Sequence, residues 1–191
     1  VAPLRYWKPI QTGIEHDDDT RAVEALTGLG PESVLNDGVR LPRPVSPHLA
    51  AQLSGQRIDL APLLALARAQ PRHERFVVEG AGGALVPINE SEMMVDLILQ
   101  LGLAALVVAR STLGTINHTL LTLEALRGRG VPVAGVVMNG PRNDENCDAI
   151  QTFGRVAVIG RMATFDALDR TVLAGAAASI DADDRLVELF R

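Results

Sequence analysis

Lysine is almost missing from this sequence: of 18 basic side chains, Lys8 alone is a lysine and the rest are arginines. A G-x-x-x-x-G-K-[ST] phosphate loop is therefore excluded from the 191 residues, because Lys8 sits between Trp7 and Pro9. A GC-rich genome that favours Arg codons would leave Lys8 as a survivor by chance. A chemical need for a compact ammonium is the other explanation. Cysteine is as scarce, and with Cys147 by itself no intrachain disulfide or multi-cysteine metal site forms, which favours a reducing compartment, the cytoplasm by default. Aromatics at 3% leave little for base stacking, and a net charge of -5 lacks the basic footprint of a phosphate-backbone binder, so nucleic acid is not an expected partner. No apolar run approaches the ~18 residues of a membrane span, and Val1 does not open a charged-then-apolar leader. The four histidines, His16, His48, His73 and His118, show no zinc-ligand spacing, and no G-x-S-x-G elbow supports a serine hydrolase. What is present is ordinary for a folded domain. With 47% apolar and 21% charged residues, one domain spanning 1–191 is expected.

Short β-rich apolar runs alternate with helical patterns. Arg5 to Trp7, Phe76 to Val78, Ala104 to Ala109, Val133 to Met138 and Val156 to Ile159 read as strands. The middle runs are continuously apolar, as for parallel strands covered by helices on both faces, which gives an α/β class. Ile116, Leu120, Leu123 and Leu126 fall at helical spacing before Gly128 and Gly130, predicting a crossover helix. Further helices are expected after Asp19 with a stop at Gly28, from Pro47 toward Ser54, from Asp144 to Phe153 behind an Asn143 cap, and from Ala182 to Phe190. Leu29 to Ser46 reads as an excursion between elements.

In open parallel sheets ligands bind at the carboxyl ends of strands. The residues that end the runs here are Lys8, Glu79, Arg110-Ser111 and Asn139, a set suited to a charged substrate. Glu79 is followed by Gly80-Ala81-Gly82-Gly83, where glycines let backbone N–H groups approach an anion. A carboxylate beside such a turn suits Mg²⁺ on a nucleotide, which takes one or two carboxylates plus phosphate oxygens. Asp17, Asp18 and Asp19 offer a second carboxylate, although Asp19 also reads simply as a helix cap. Leu113-Gly114-Thr115-Ile116-Asn117-His118 opens the crossover helix, whose first N–H groups suit an anion; His118 reads as an ordinary helix residue.

Three motifs, Tyr6-Trp7-Lys8-Pro9-Ile10-Gln11-Thr12-Gly13, Val78-Glu79-Gly80-Ala81-Gly82-Gly83-Ala84-Leu85-Val86-Pro87 and Leu113-Gly114-Thr115-Ile116-Asn117-His118-Thr119-Leu120-Leu121, closely resemble dethiobiotin synthetase in sequence and order. Asp17-Asp18-Asp19-Thr20, Ser46-Pro47-His48 and Asn139-Gly140 extend the likeness over nearly the whole chain. The resemblance implies a three-layer P-loop NTPase-like fold with a mostly parallel central sheet. It also implies an ATP- and Mg²⁺-dependent cyclo-ligase of biotin biosynthesis that makes a cyclic urea from 7,8-diaminopelargonic acid and CO₂. By motif position Lys8 resembles the active-site lysine, and Thr12, Gly82, Leu113, Gly114, Thr115, Ile116 and Asn117 resemble substrate contacts. Asp19, Glu79, Gly80, Ala81, Gly82, Asn139 and Gly140 resemble nucleotide contacts, with Asp19 and Glu79 also metal ligands. A homodimer with the site at its interface is implied as well.

Two departures stand against this pattern. Family members open with a strand, a phosphate loop and a helix, and this sequence reads as though it starts after that unit. Loss of a central strand is expected to expose backbone groups and apolar surface, and ATP turnover by these 191 residues alone is expected to be slight. The family also carries a Pro in the loop after the last strand, where Gly160-Arg161-Met162-Ala163 stands here. A catalytically dead binding or scaffold paralogue, and another ligase or ATPase of the fold such as a cobyrinic acid amidating enzyme or a partition-type ATPase, remain the alternatives.

Overall fold

The computed structural model describes residues 4–71, 74–181 and 185–189. It divides into two compact units, Val1–Leu101 and Gly102–Arg191. Every strand pair within the described residues is parallel, apart from one isolated antiparallel bridge between Pro87 and Met93.

In the first unit β1 (Leu4–Trp7) and β2 (Ile10–Thr12) lead into α1 (Asp19–Thr27). A 3-10 turn at Pro31–Ser33, β3 (Val34–Leu35) and β4 (Val39–Leu41) follow. Then come α2 (Pro47–Leu53), α3 (Leu60–Arg68), β5 (Arg75–Val78) and α4 (Met94–Leu101). One sheet has the order β3-β1-β5, and β2 pairs with β4 in a second. The expected stop at Gly28 is found: Gly28 adopts a left-handed conformation and its N–H reaches Glu24 O. The excursion from Leu29 to Ser46 supplies β3 and β4, strands too short to stand out as apolar runs. Trp7, Ile10, Leu35, Leu41, Leu60, Leu63, Met94 and Leu97 belong to one core, against which Phe76 and Val78 pack. Period-two alternation therefore fixes the other face of the β1–β5 pair. Tyr6 lies opposite Val77 in register, so Tyr6, Lys8, Val77 and Glu79 share the face turned away from Trp7 and Val78.

In the second unit β6 (Ala105–Arg110), α5 (Thr115–Gly128), β7 (Val133–Asn139), α6 (Asp144–Gly154) and β8 (Val158–Met162) alternate, with α7 (Arg170–Ile180) and α8 (Arg185–Glu188) after them. The sheet order is β6-β7-β8. Leu123 and Ile150 from the helices close over Ala109, Val136 and Met138, with Val107, Ile116 and Leu120 beside them. On the opposite face the backbone of Ile180 and the side chain of Leu186 come against Gly160, next to Val137.

Several expectations need correction. Cover on both faces fails at β6, where Val108 is 65% exposed. The α7 and α8 contacts fall on β8, whereas β6 is the opposite edge of the same sheet. Val77 on the edge strand β5 is exposed for the same reason. The last strand starts two residues later than Val156 and runs on to Met162, its ladder crossing a register shift at Val136/Val137 and ending at Asn139↔Met162. The helix expected over 182–190 appears only as α8, and residues 182–184 and 190 of that span lie outside the described residues.

Candidate active site

Lys8 is the first residue beyond β1 and Glu79 the first beyond β5, and Glu79 N bonds Trp7 O at 2.9 Å, carrying the parallel ladder one step further. That register sets Lys8 level with Glu79 on one face. Lys8 Nζ donates to Glu79 Oε1 at 2.6 Å and to Gly80 O at 3.3 Å, and it pairs with Asp19 Oδ2. An ammonium has three protons, and this lysine, only 5% exposed, has three acceptors around it, which offset the cost of its burial. The remaining oxygen of Glu79 accepts a hydrogen bond of 2.7 Å from the Tyr6 hydroxyl. Burial pushes the Tyr6 phenol far up from its ordinary pKa, and the Glu79 bond and charge push it further, so it remains a donor.

Asp19 is free for this role because it is not the cap. The N-cap of α1 is Asp18, whose Oδ1 accepts from the N–H groups of Thr20 and Arg21. One carboxylate terminates the helix and the next faces Lys8. Two anions around one cation leave the cluster with an excess negative charge, and its donors are hard carboxylate oxygens. This set fits Mg²⁺, which takes one or two carboxylates and completes its shell with phosphate oxygens and water.

The turn after Glu79 needs its glycine at 82. Gly82 has φ +79°, and a Cβ there would stand 2.9 Å from Val86 Cγ2. Ala81 turns into the core, and the turn is tied to the start of α4 through Met94 N–Val86 O and Val95 N–Ala84 O. Thr12 ends β2 and is half-buried. Near it Gln11 is buried, donating through Nε2 to Thr12 O and Asp17 O while its Oε1 stays without a partner.

The other expected contacts lie in the second unit, also at strand ends. Ser111 N bonds Asn139 O at 3.1 Å, Gly140 N bonds Met162 O at 2.9 Å, and Asn146 Nδ2 bonds Ser111 O at 3.0 Å. Arg110-Ser111, Asn139 and the N-terminus of α6 thus meet at the carboxyl edge of β6-β7-β8. Gly140 has φ +129°, and its Cα lies so close to Ser111 that a Cβ would be 2.5 Å from Oγ. Leu113 is fully exposed and Gly114 takes a left-handed conformation before α5. Thr115 is buried, its hydroxyl bonded to Arg110 O, whereas Asn117 is exposed. No group of three or more His, Cys, Asp or Glu suited to a metal is found among the described residues.

Sequence reasoning found Lys8, Asp19 and Glu79 but missed Tyr6 as a member of the cluster and Asp18 as the cap. The parity of Tyr6 with Lys8 along the strand was the available signal for the first. An AAA domain family model matches residues 1–171. The chain is 48% identical over 171 residues to the ATP-dependent dethiobiotin synthetase BioD of Paramagnetospirillum magneticum, covering 89% of this chain and 80% of that protein. It is 42% identical to the protein of the same name from Rhodopseudomonas palustris, over 90% of this chain and 80% of the relative. It is 47% identical to the biotin biosynthesis bifunctional protein BioCD of Bordetella avium, matching 86% of this chain but 35% of that longer protein. With an α/β fold of parallel strands and a charged cluster at the strand ends, the chain belongs to the ATP-dependent dethiobiotin synthetase family.

Proposed function

We propose that this protein forms the ureido ring of dethiobiotin from 7,8-diaminopelargonic acid, CO₂ and ATP. One substrate amine adds to CO₂ and loses a proton, giving a carbamate. A carbamate oxygen takes the γ-phosphoryl group of ATP, releasing ADP and leaving a carbamic-phosphoric anhydride. The second amine then attacks the carbonyl carbon, closing the ring and expelling phosphate.

One observation carries this reading: the buried ammonium of Lys8 held between Asp19, Glu79 and Gly80 O. A compact, desolvated cation of fixed direction suits an oxygen on which charge builds as the phosphoryl group arrives. Asp19 and Glu79 keep Lys8 aimed. They would also hold Mg²⁺, which when bound offsets phosphate charge. The turn from Gly80 to Gly82 presents backbone to nucleotide and substrate, and Thr12 offers a hydroxyl to the diamine. Asn139 and Gly140 read the adenine. Leu113 to Asn117, with its exposed tip, reaches the diamine bound by a second copy in a homodimer.

The 191 residues hold no lysine-bearing phosphate loop. We therefore expect residues 1–191 by themselves to turn over little ATP, with the natural gene product as the active comparison. In the natural gene product Lys8→Ala and Glu79→Ala should each lose on the order of a hundredfold in kcat, as removal of a preorganised charge partner does. Wild-type dethiobiotin formation by both variants would reduce the cluster to a structural ion pair.

A further inference from the structure

We propose that Tyr6 is a positioning residue for Glu79, its hydroxyl fixing one carboxylate oxygen so that the other stays on Lys8. This rests on Lys8, Asp19 and Glu79 being the reaction centre.

Glu79 stands beyond the end of β5 with its side chain 44% exposed, on three rotatable bonds. Tethered through Lys8 alone, it could swing toward solvent about that contact. Tyr6 removes that freedom. It is 6% exposed, its ring is held in β1, and it lies two residues before Lys8 on the same strand face. Successive same-face positions of one strand thus send a phenol and an ammonium to the two oxygens of a single carboxylate, at 2.7 and 2.6 Å. A carboxylate has about four lone-pair sites, so both oxygens keep capacity for a further ligand. No contact of Tyr6 with substrate is needed; it acts through Glu79. A purely structural account, in which Glu79 merely satisfies a buried hydroxyl, makes a different prediction. Loss of the hydroxyl would then alter stability without regard to what Glu79 does in turnover.

The test uses the natural gene product and Tyr6→Phe, which removes one oxygen and keeps the ring. We expect kcat to fall about tenfold while KM for ATP and for the diamine moves by less than about twofold, the pattern of an interaction felt in the transition state. In a Glu79→Gln background the same change should alter kcat by less than about twofold, because no carboxylate is left to position. Raman difference spectra of wild type against Glu79→Gln, without substrates, should show a tyrosine hydroxyl passing from a strong to a weak hydrogen-bond donor. That measurement needs no Tyr6 variant, so it holds even if Tyr6→Phe folds poorly. Wild-type kcat in Tyr6→Phe, an equal loss with and without the Glu79 carboxylate, or an unchanged tyrosine band would each overturn the role of Tyr6. Wild-type kcat in Glu79→Gln would instead overturn the reading of the reaction centre, and the role of Tyr6 with it.

Discussion

Two adjacent aspartates, Asp18 and Asp19, have different tasks although their chemistry is identical. Asp18 has the extended backbone of an N-cap and satisfies two of the first N–H groups of α1. Asp19, one residue on, already has a helical position and points its carboxylate at Lys8. The two roles separate by substitution. Asp18→Ala should lower stability by ~1 kcal/mol, the usual worth of a cap, with little change in kcat. Asp19→Asn should leave the melting temperature nearly unchanged and raise the Mg²⁺ concentration needed for half-maximal rate on the order of tenfold. Thermal melts and Mg²⁺ titrations of the two variants check the assignment, and a reversed pattern would reassign the cap. Which aspartate does which was not legible in the sequence, because a one-residue shift in helix start interchanges them. Lys8 and Glu79 were legible because each ends an apolar run. Tyr6 was hidden because a tyrosine within a strand reads as core until the register with β5 shows which way it faces.

Among the elements, the strands that form the two longer ladders were readable from continuous apolar runs, and the crossover helix from its spacing. The two- and three-residue strands β2, β3 and β4 were not, since period two cannot be recognised over so few residues. The helix α7 escaped for a different reason: it is rich in Ala and has little apolar stripe, and its start rests on the Asp169 cap, which bonds Val172 N at 2.8 Å. By contrast α6 announced itself through Asn143, whose side chain accepts from Asn146 N at 2.9 Å. At the same end Asp144 accepts hydrogen bonds from Arg142 and from Arg161, and these hold its carboxyl below the ordinary range. A carboxyl whose pKa is lower folded than unfolded contributes stability above its unfolded value, ~3.9 for Asp, and loses it as pH falls through the folded value. Asp144→Asn should therefore flatten the acid limb of the stability curve below about pH 5 and leave the neutral region little changed. Urea melts between neutral and acid pH measure this, and an unaltered acid limb would mean that the two arginines do not hold Asp144 in solution. The pair is exposed, so salt should weaken the effect.

For the molecule as a whole, sequence pattern identified an α/β chain but not that, among the described residues, β5 and β6 each stand at an edge of their own sheet, a property of strand order that local pattern does not encode. The edge strands β5 and β6 each pair on one side within their sheets, and they carry exposed Val77, Leu106 and Val108. Parallel edges with apolar side chains and unpaired N–H and C=O groups are templates for association, and a net charge of -5 spread over 191 residues opposes it only weakly. Residues 1–191 should consequently self-associate as concentration rises, seen as a growing weight-average mass in sedimentation equilibrium. Val108 is the best place to interfere, being the most exposed large apolar residue of β6 and set on the face away from α5. Val108→Lys adds a charge to the edge and breaks its apolar strip, and at so exposed a position the cost to folding should lie within ~0.5 kcal/mol. The variant should melt with wild type and form larger assemblies only at higher concentration than wild type does. If it unfolds, Val108 is buried in solution and β6 has a cover on that face; if it associates as readily as wild type, the contact forms elsewhere on the surface.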